Sequence, residues 1–144
     1  MLESLELTEI ELKEFKTQFE QNDQFANHIN IKLDELNIGY AKASMKIEAF
    51  HLNGAGVIQG GALFTLADFV FGAASNTHGL LSLGINTSMN FIKGAKKGET
   101  VTAICKNKNQ GHKLGVYDVD IFNDKEELIA TFCGLNYLKQ QKLF

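Results

Sequence analysis

The sequence predicts an α+β fold in which an antiparallel sheet curves around one buried helix, and three observations carry that reading. Residues 60–76 are apolar on nearly every side, with Leu63, Phe64, Leu66, Ala67, Phe69, Val70 and Phe71 in close succession, as in a helix enclosed on all faces. Downstream of it the chain alternates polar and apolar residues in four runs separated by Gly, Asn, Asp and Lys turns. A fifth alternating run precedes the helix, so strands lie on both sides of it in the chain.

Taken in order, Thr8 followed by Glu11 has the form of a capping box and opens a helix that runs to about Phe19. Leu12, Phe15 and Phe19 share one face of it, which suits a helix docked on a sheet. A short helical turn follows from Asp23 to His28. Asn37-Ile38-Gly39 turns the segment Ile31–Leu36 back against a strand in which Ala41, Ala43, Met45, Ile47 and Ala49 alternate with polar residues. The glycine-rich stretch HLNGAGVIQGG, residues 51–61, breaks both periods and leads into the apolar helix, which His78-Gly79 stops. The strands after it are expected at Leu81–Phe91, Thr100–Lys106, Leu114–Phe122 and Leu128–Leu138. In the first of these, Leu81, Leu83, Ile85, Thr87, Met89 and Phe91 alternate without a break. Residues 1–24 read as an N-terminal helical segment and 25–144 as one domain.

Composition removes several functions. The chain has 144 residues, 44% apolar and 22% charged, which is one globular domain. No apolar run is long enough for a transmembrane helix, and the acidic N-terminus lacks the basic start of a secretory signal, so a cytoplasmic protein is expected. Its net charge is −3 and its basic residues are all lysine, which argues against base reading by bidentate arginine, and no nucleic-acid partner is expected. Cys105 and Cys133 fit no zinc or redox spacing and read as buried free thiols. The four histidines are scattered, so no metal site is expected.

Two features of the buried helix point to chemistry. Asp68 is its one ionisable side chain, set between Ala67 and Phe69. A carboxylate there must be hydrogen-bonded, to Thr65 or to a strand, or open to water in a cleft; in a partly apolar cleft it suits a general base or nucleophile. Gly60-Gly61 at the helix start leaves backbone N–H groups free at the positive end of the dipole, a place for an anion or a developing oxyanion, or simply a tight turn. Lys93, Lys96 and Lys97 form one basic cluster, and Lys106, Lys108 and Lys113 another; each suits phosphates as well as water. Gly60 and Asp68 lie eight residues apart, about 12 Å along a helix. One chain cannot bring both to the same carbonyl, so catalysis by the pair implies a dimer.

The segment HLNGAGVIQGGALFTLAD resembles the hotdog-fold thioesterases of the PaaI (phenylacetate-pathway) type, whose pattern there is close to H-x-N-x-x-G-x-x-H-G-G-x-x-x-x-L-A-D. The likeness continues through MNFIKGAKKGETVTA and GHKLGVYDVDIFNDKEELIATFCG, so it covers roughly residues 25 to 139. It implies a hotdog fold, a homodimer with one continuous sheet that pairs further into a tetramer in many members, and active sites at the dimer interface. It further implies an acyl-CoA thioesterase, with coenzyme A entering as part of the substrate and no separate cofactor.

Carried over by position, Asp68 matches the catalytic carboxylate, which activates water or attacks the thioester carbonyl. Gly60 matches the glycine whose N–H polarises that carbonyl, and Asn53 the asparagine that positions water or thioester. Gln59 stands where the family has histidine, a fourth catalytic candidate that is polar but carries no proton. Lys93, Gly61 and His51 are the substrate-binding candidates, Lys93 for a phosphate. Gly84 falls where some members place a hydroxyl, and Gly94 replaces a proline. Gln59 and Gly84 together motivate the rival expectation, an acyl-thioester-binding protein with little turnover in a regulatory or assembly role.

Overall fold

The computed structural model describes residues 5–144; the first four residues, where the acidic N-terminal stretch begins, lie outside the described residues. Helix α1 (Glu9–Asn22) starts at the capping box the sequence predicts, with the Glu11 N–H donating to Thr8 Oγ1 at 3.2 Å and the Thr8 N–H to Glu11 Oε1 at 3.0 Å. It runs three residues past the predicted end. Asp23 then caps the short helix α2 (Gln24–His28) by accepting from the Ala26 N–H. Strands β1 (Ile31–Asn37) and β2 (Tyr40–Lys46) form a hairpin, helix α3 (Gly60–Ser75) follows, and β3 (Leu80–Phe91), β4 (Thr100–Gln110), β5 (Leu114–Phe122) and β6 (Leu128–Lys142) complete the chain.

All six strands join one antiparallel sheet in the order β1-β2-β4-β5-β6-β3. The sheet curves around α3, whose Leu66, Ala67, Val70, Ala73 and Ala74 are fully enclosed against Met45, Val101, Val119, Ile121 and Ile129. This is the α+β arrangement that the sequence predicts, an antiparallel sheet curved around one helix, and it agrees with the hotdog fold that the resemblance implies. No helix of the described residues is long and apolar enough to cross a membrane.

Three local expectations are corrected. Strand β2 ends at Lys46, because Glu48 leaves the ladder and caps a single 3-10 turn, Ala49–His51; Ala49 is therefore exposed. Strand β3 does not alternate without a break. A bulge between Gly84 and Asn86 inserts one residue, so Gly84 lies opposite Asn136 but Thr87 lies opposite Gly134. Ser82 and Gly84 face α3 before the bulge, and Met89 packs on the core after it, while Leu83 and Ile85 are left exposed at 44% and 55%. Third, Cys133 is exposed, whereas Cys105 is buried as expected.

The sheet's far end is shaped by one ring. Phe71 of α3 lies against Tyr117 and Phe132, with centroids 5.6 and 5.7 Å away. A Cβ on Gly84 would meet it at 2.9 Å and one on Gly134 at 2.8 Å. Both strands must be bare there for α3 to seat. Beyond it, the Asn136 amide donates to Ser82 Oγ, which donates to Ser75 Oγ, each at 2.9 Å, tying the last turn of α3 to β3 and β6.

Gly134→Ala is expected to cost about 1–3 kcal/mol by overpacking, read from urea denaturation midpoints. Adding Phe71→Leu to it should recover part of that loss; a double variant no more stable than the additive sum of the two singles would show that the ring is not the obstacle.

Candidate functional site

The first turn of α3 is built by Gln59. Its Oε1 accepts from the Gly61 N–H at 2.6 Å as the helix cap, and its own N–H donates to the His51 carbonyl at 2.8 Å. A Cβ at position 61 would stand 2.5 Å from that same Oε1, so any larger residue there would push the Gln59 side chain out of this cap. The capping leaves the neighbouring Gly60 N–H without an acceptor among the described residues, at the positive end of a sixteen-residue helix. Phe91, at the end of β3, covers Gly60 so closely that a Cβ would meet its ring at 3.2 Å.

Asn53 sits in a turn of its own making. Its Oδ1 accepts from the Ala55 and Val57 N–H groups at 2.9 and 3.2 Å, and Gly56 completes the bend at φ +79°. The amide nitrogen of Asn53 remains available to donate. A cleft of about 360 Å³ brings Asn53, Gly60 and Lys93 together, between the 53–58 turn and the end of β3. Lys93 enters it already paired with Glu127, an ion pair that, with the Asn123 amide, holds the Glu127 carboxyl below its ordinary value.

His51 is placed otherwise. The Glu48 N–H donates to its Nδ1 at 2.9 Å, so the ring proton is on Nε2 and donates to the Ile29 carbonyl at 2.7 Å. Both ring nitrogens serve the backbone. His51, Gln59 and Gly61 line a second cavity, of about 550 Å³, on the other side of the same helix start.

Asp68 lies two turns further along α3, on an exposed stripe shared with Gly61 and with Phe64, whose ring rests on Phe132 of β6 at 5.6 Å. The helix predicted to be enclosed on every side therefore has one open stripe. Thr65 does not bond Asp68: its hydroxyl donates back to the Gly61 carbonyl at 2.8 Å. Among the described residues Asp68 has no hydrogen-bond partner. Its pKa is raised, first by the apolar groups that partly strip it of water and then by the negative charge of Asp23 at the α1–α2 junction. The structure thus groups Asn53, Gly60 and Lys93 in one cleft, groups Gln59, Gly61 and His51 beside it, and keeps Asp68 apart from both. Sequence reading had not marked Asp23, Glu127 or Phe91 as neighbours of these groups. Asp23 did carry a visible signal, as a helix cap three residues before Ala26.

Residues 55–130 match the family model of the thioesterase superfamily. An Archaeoglobus fulgidus protein is 38% identical over 117 residues, covering 81% of this chain and 76% of its own. The acyl-coenzyme A thioesterase PaaI of Escherichia coli is 33% identical over 117 residues, covering 81% of this chain and 84% of its own. The E. coli PaaI structure superposes with a TM-score of 0.88 at 30% identity, over 91% of this chain and 95% of that one. A hypothetical thioesterase protein of Streptococcus pneumoniae, solved with coenzyme A, gives a TM-score of 0.80 at 25% identity over 88% and 98% of the two chains.

The raised pKa of Asp68 has a thermodynamic consequence. Its carboxyl holds a proton more tightly folded than unfolded, so ionisation penalises the fold once pH passes above the ordinary carboxylate range. Asp68→Asn is expected to raise the melting temperature at about pH 7, the gain shrinking as pH falls toward about 4. Thermal melts of both proteins across that range decide it, and a pH-independent difference would contradict the assigned environment.

Proposed function

The chain belongs to the thioesterase superfamily and is a thioester hydrolase, and from that premise we propose that its substrate is an acyl-coenzyme A, hydrolysed at a site shared by two copies of the chain. The observation that carries this reading is the separation on α3 of an unpaired N–H at Gly60 from the partner-free carboxyl of Asp68. A helix holds them about 12 Å apart. A second copy, with its own α3 alongside, supplies whichever of the two the first cannot bring.

The means of pairing is at the sheet's edge. Strand β3 is twelve residues long, bonded to β6 on one side and to nothing on the other among the described residues, with Leu83 and Ile85 exposed on it. A long unpaired edge is a template for a further strand. Two β3 strands meeting about a twofold axis join the sheets and bring each α3 next to the other.

In this reading the thioester oxygen accepts from the Gly60 N–H, where the helix dipole stabilises the charge that grows on it. Asp68 of the other copy takes a proton from water as the water oxygen bonds to the carbonyl carbon. The tetrahedral adduct then collapses, the C–S bond breaks, and the proton passes to the departing sulfur, giving a carboxylic acid and the coenzyme A thiol. A carboxylate with a raised pKa is the better base for this. Asn53 turns its free amide nitrogen to the water or the thioester. Gln59 holds the first turn of α3 in shape, and Lys93 stands on the coenzyme side of the cleft.

Asp68→Asn is expected to lower kcat by about 10²-fold or more, the scale of a lost general base, with coenzyme A release followed by chromatography because the exposed Cys133 reacts with thiol dyes. Sharing between copies has its own test. Gly60→Pro deletes the N–H at a first helical position whose backbone suits proline, and Phe91→Ala in the same chain makes room for the proline ring, whose Cβ would otherwise meet Phe91 at 3.2 Å. Mixing inactive Asp68→Asn chains with inactive Gly60→Pro chains should restore up to about a quarter of wild-type activity, since each mixed dimer holds one intact site. Mixtures that stay inactive after proven subunit exchange would place each site within a single chain.

A further inference from the structure

The acyl-coenzyme A reading leaves open where the acyl group goes, and the two cavities flanking the first turn of α3 bear on it. A thioester whose carbonyl rests on the Gly60 N–H must send its two arms in different directions. One arm is the long anionic coenzyme, the other the acyl group. The cleft that holds Gly60 also holds Asn53 and Lys93 and suits the coenzyme arm. The cavity on the other side is lined by Gln59 and Gly61, the residues on either side of Gly60 in the chain.

That second cavity differs from the cleft in holding no charged side chain, where the cleft has Lys93. Phe25 of α2 and Phe50 of the 49–51 turn stand at it with 61% and 60% of their surfaces exposed, and Ala62 lines it as well. Most of its polar side-chain atoms are already engaged: His51 through both ring nitrogens, Thr65 with the Gly61 carbonyl, and Gln59 Oε1 with the Gly61 N–H, which leaves the Gln59 amide nitrogen as a neutral donor. None of its lining residues carries a carboxylate or an ammonium group. Its volume, about 550 Å³, is that of a small-molecule pocket. Its floor is rigid, because the two backbone bonds hold the His51 ring and the Phe50 ring lies 4.3 Å from it. Two other places along α3 are filled, one by Phe71 against Gly84 and Gly134 and one by Phe19, whose ring a Cβ on Gly72 would meet at 3.1 Å.

We propose that this cavity is the acyl pocket, that it selects neutral apolar acyl groups, and that Phe25, Phe50 and Ala62 set the size it accepts. The proposal rests on acyl-coenzyme A hydrolysis and adds the substrate class to it.

The test compares kcat/KM for butyryl-, octanoyl-, phenylacetyl- and succinyl-coenzyme A in the wild type and in Phe25→Ala, Phe50→Ala and Ala62→Phe. The wild type should disfavour succinyl-coenzyme A, whose carboxylate would lose its water without a partner. Ala62→Phe should lower the octanoyl and phenylacetyl values about tenfold or more relative to butyryl. The two alanine variants, at exposed positions that leave the core intact, should shift preference toward the longer chain. Sedimentation velocity accompanies each variant. Variants that hydrolyse butyryl-coenzyme A with an unchanged order of preference would overturn the pocket. A change in association state with no change in preference would overturn it too, and assign the Phe25–Phe50 surface to contact between copies. Failure of the wild type on every acyl-coenzyme A would instead defeat the underlying reading of the substrate.

Discussion

A helix is a ruler that does not fold back, and α3 carries at one point the N–H that can hold an oxyanion and, two turns on, the carboxylate that can activate water. Its interior hydrogen bonds fix that spacing, and the sheet packed around it removes any freedom to bend. Leu66, Ala67, Val70, Ala73 and Ala74 are enclosed because this one helix fills the concave side of six strands. The element that supplies the core therefore also carries the proposed chemistry, and in that proposal its straightness calls on a second copy for the missing half.

The seating of α3 decides much of what surrounds it. Phe71 occupies the space that bare backbone at Gly84 and Gly134 leaves open, so Gly84, which the resemblance matches to a hydroxyl of some members, here meets an aromatic ring. At the other end, Gln59 spends its oxygen on the Gly61 N–H and thereby leaves the Gly60 N–H as the unclaimed donor. A histidine in place of Gln59 can bring a proton; glutamine brings geometry. Both ends show side chains used to shape backbone, with the reactive groups being what is left over.

Much of this was legible in the chain. The capping box at Thr8 and Glu11, the alternation of β2 and the all-apolar run of α3 are local patterns, and each produced its element. The bulge in β3 was not legible. Leu81, Leu83, Ile85, Thr87, Met89 and Phe91 read as one continuous face, yet the strand shifts phase at Gly84–Asn86, where Phe71 crosses it and pairing with β6 slips by one residue. His51 was equally hidden, since its two backbone partners lie at Glu48, three residues away, and at Ile29, twenty-two residues away.

By itself the sequence determined the elements, the apolar character of α3, and the choice of Gly60 and Asp68 as its candidate positions, because helix and strand periods and an isolated charge in an apolar run are properties of neighbours along the chain. The tertiary structure alone decided the strand order that leaves β3 at an edge, the grouping of Asn53 and Lys93 with Gly60, and the separation of two cavities by a single helical turn. Those depend on residues far apart in sequence meeting across the sheet, and on which side chains reach a given volume first. No local pattern encodes that competition for space.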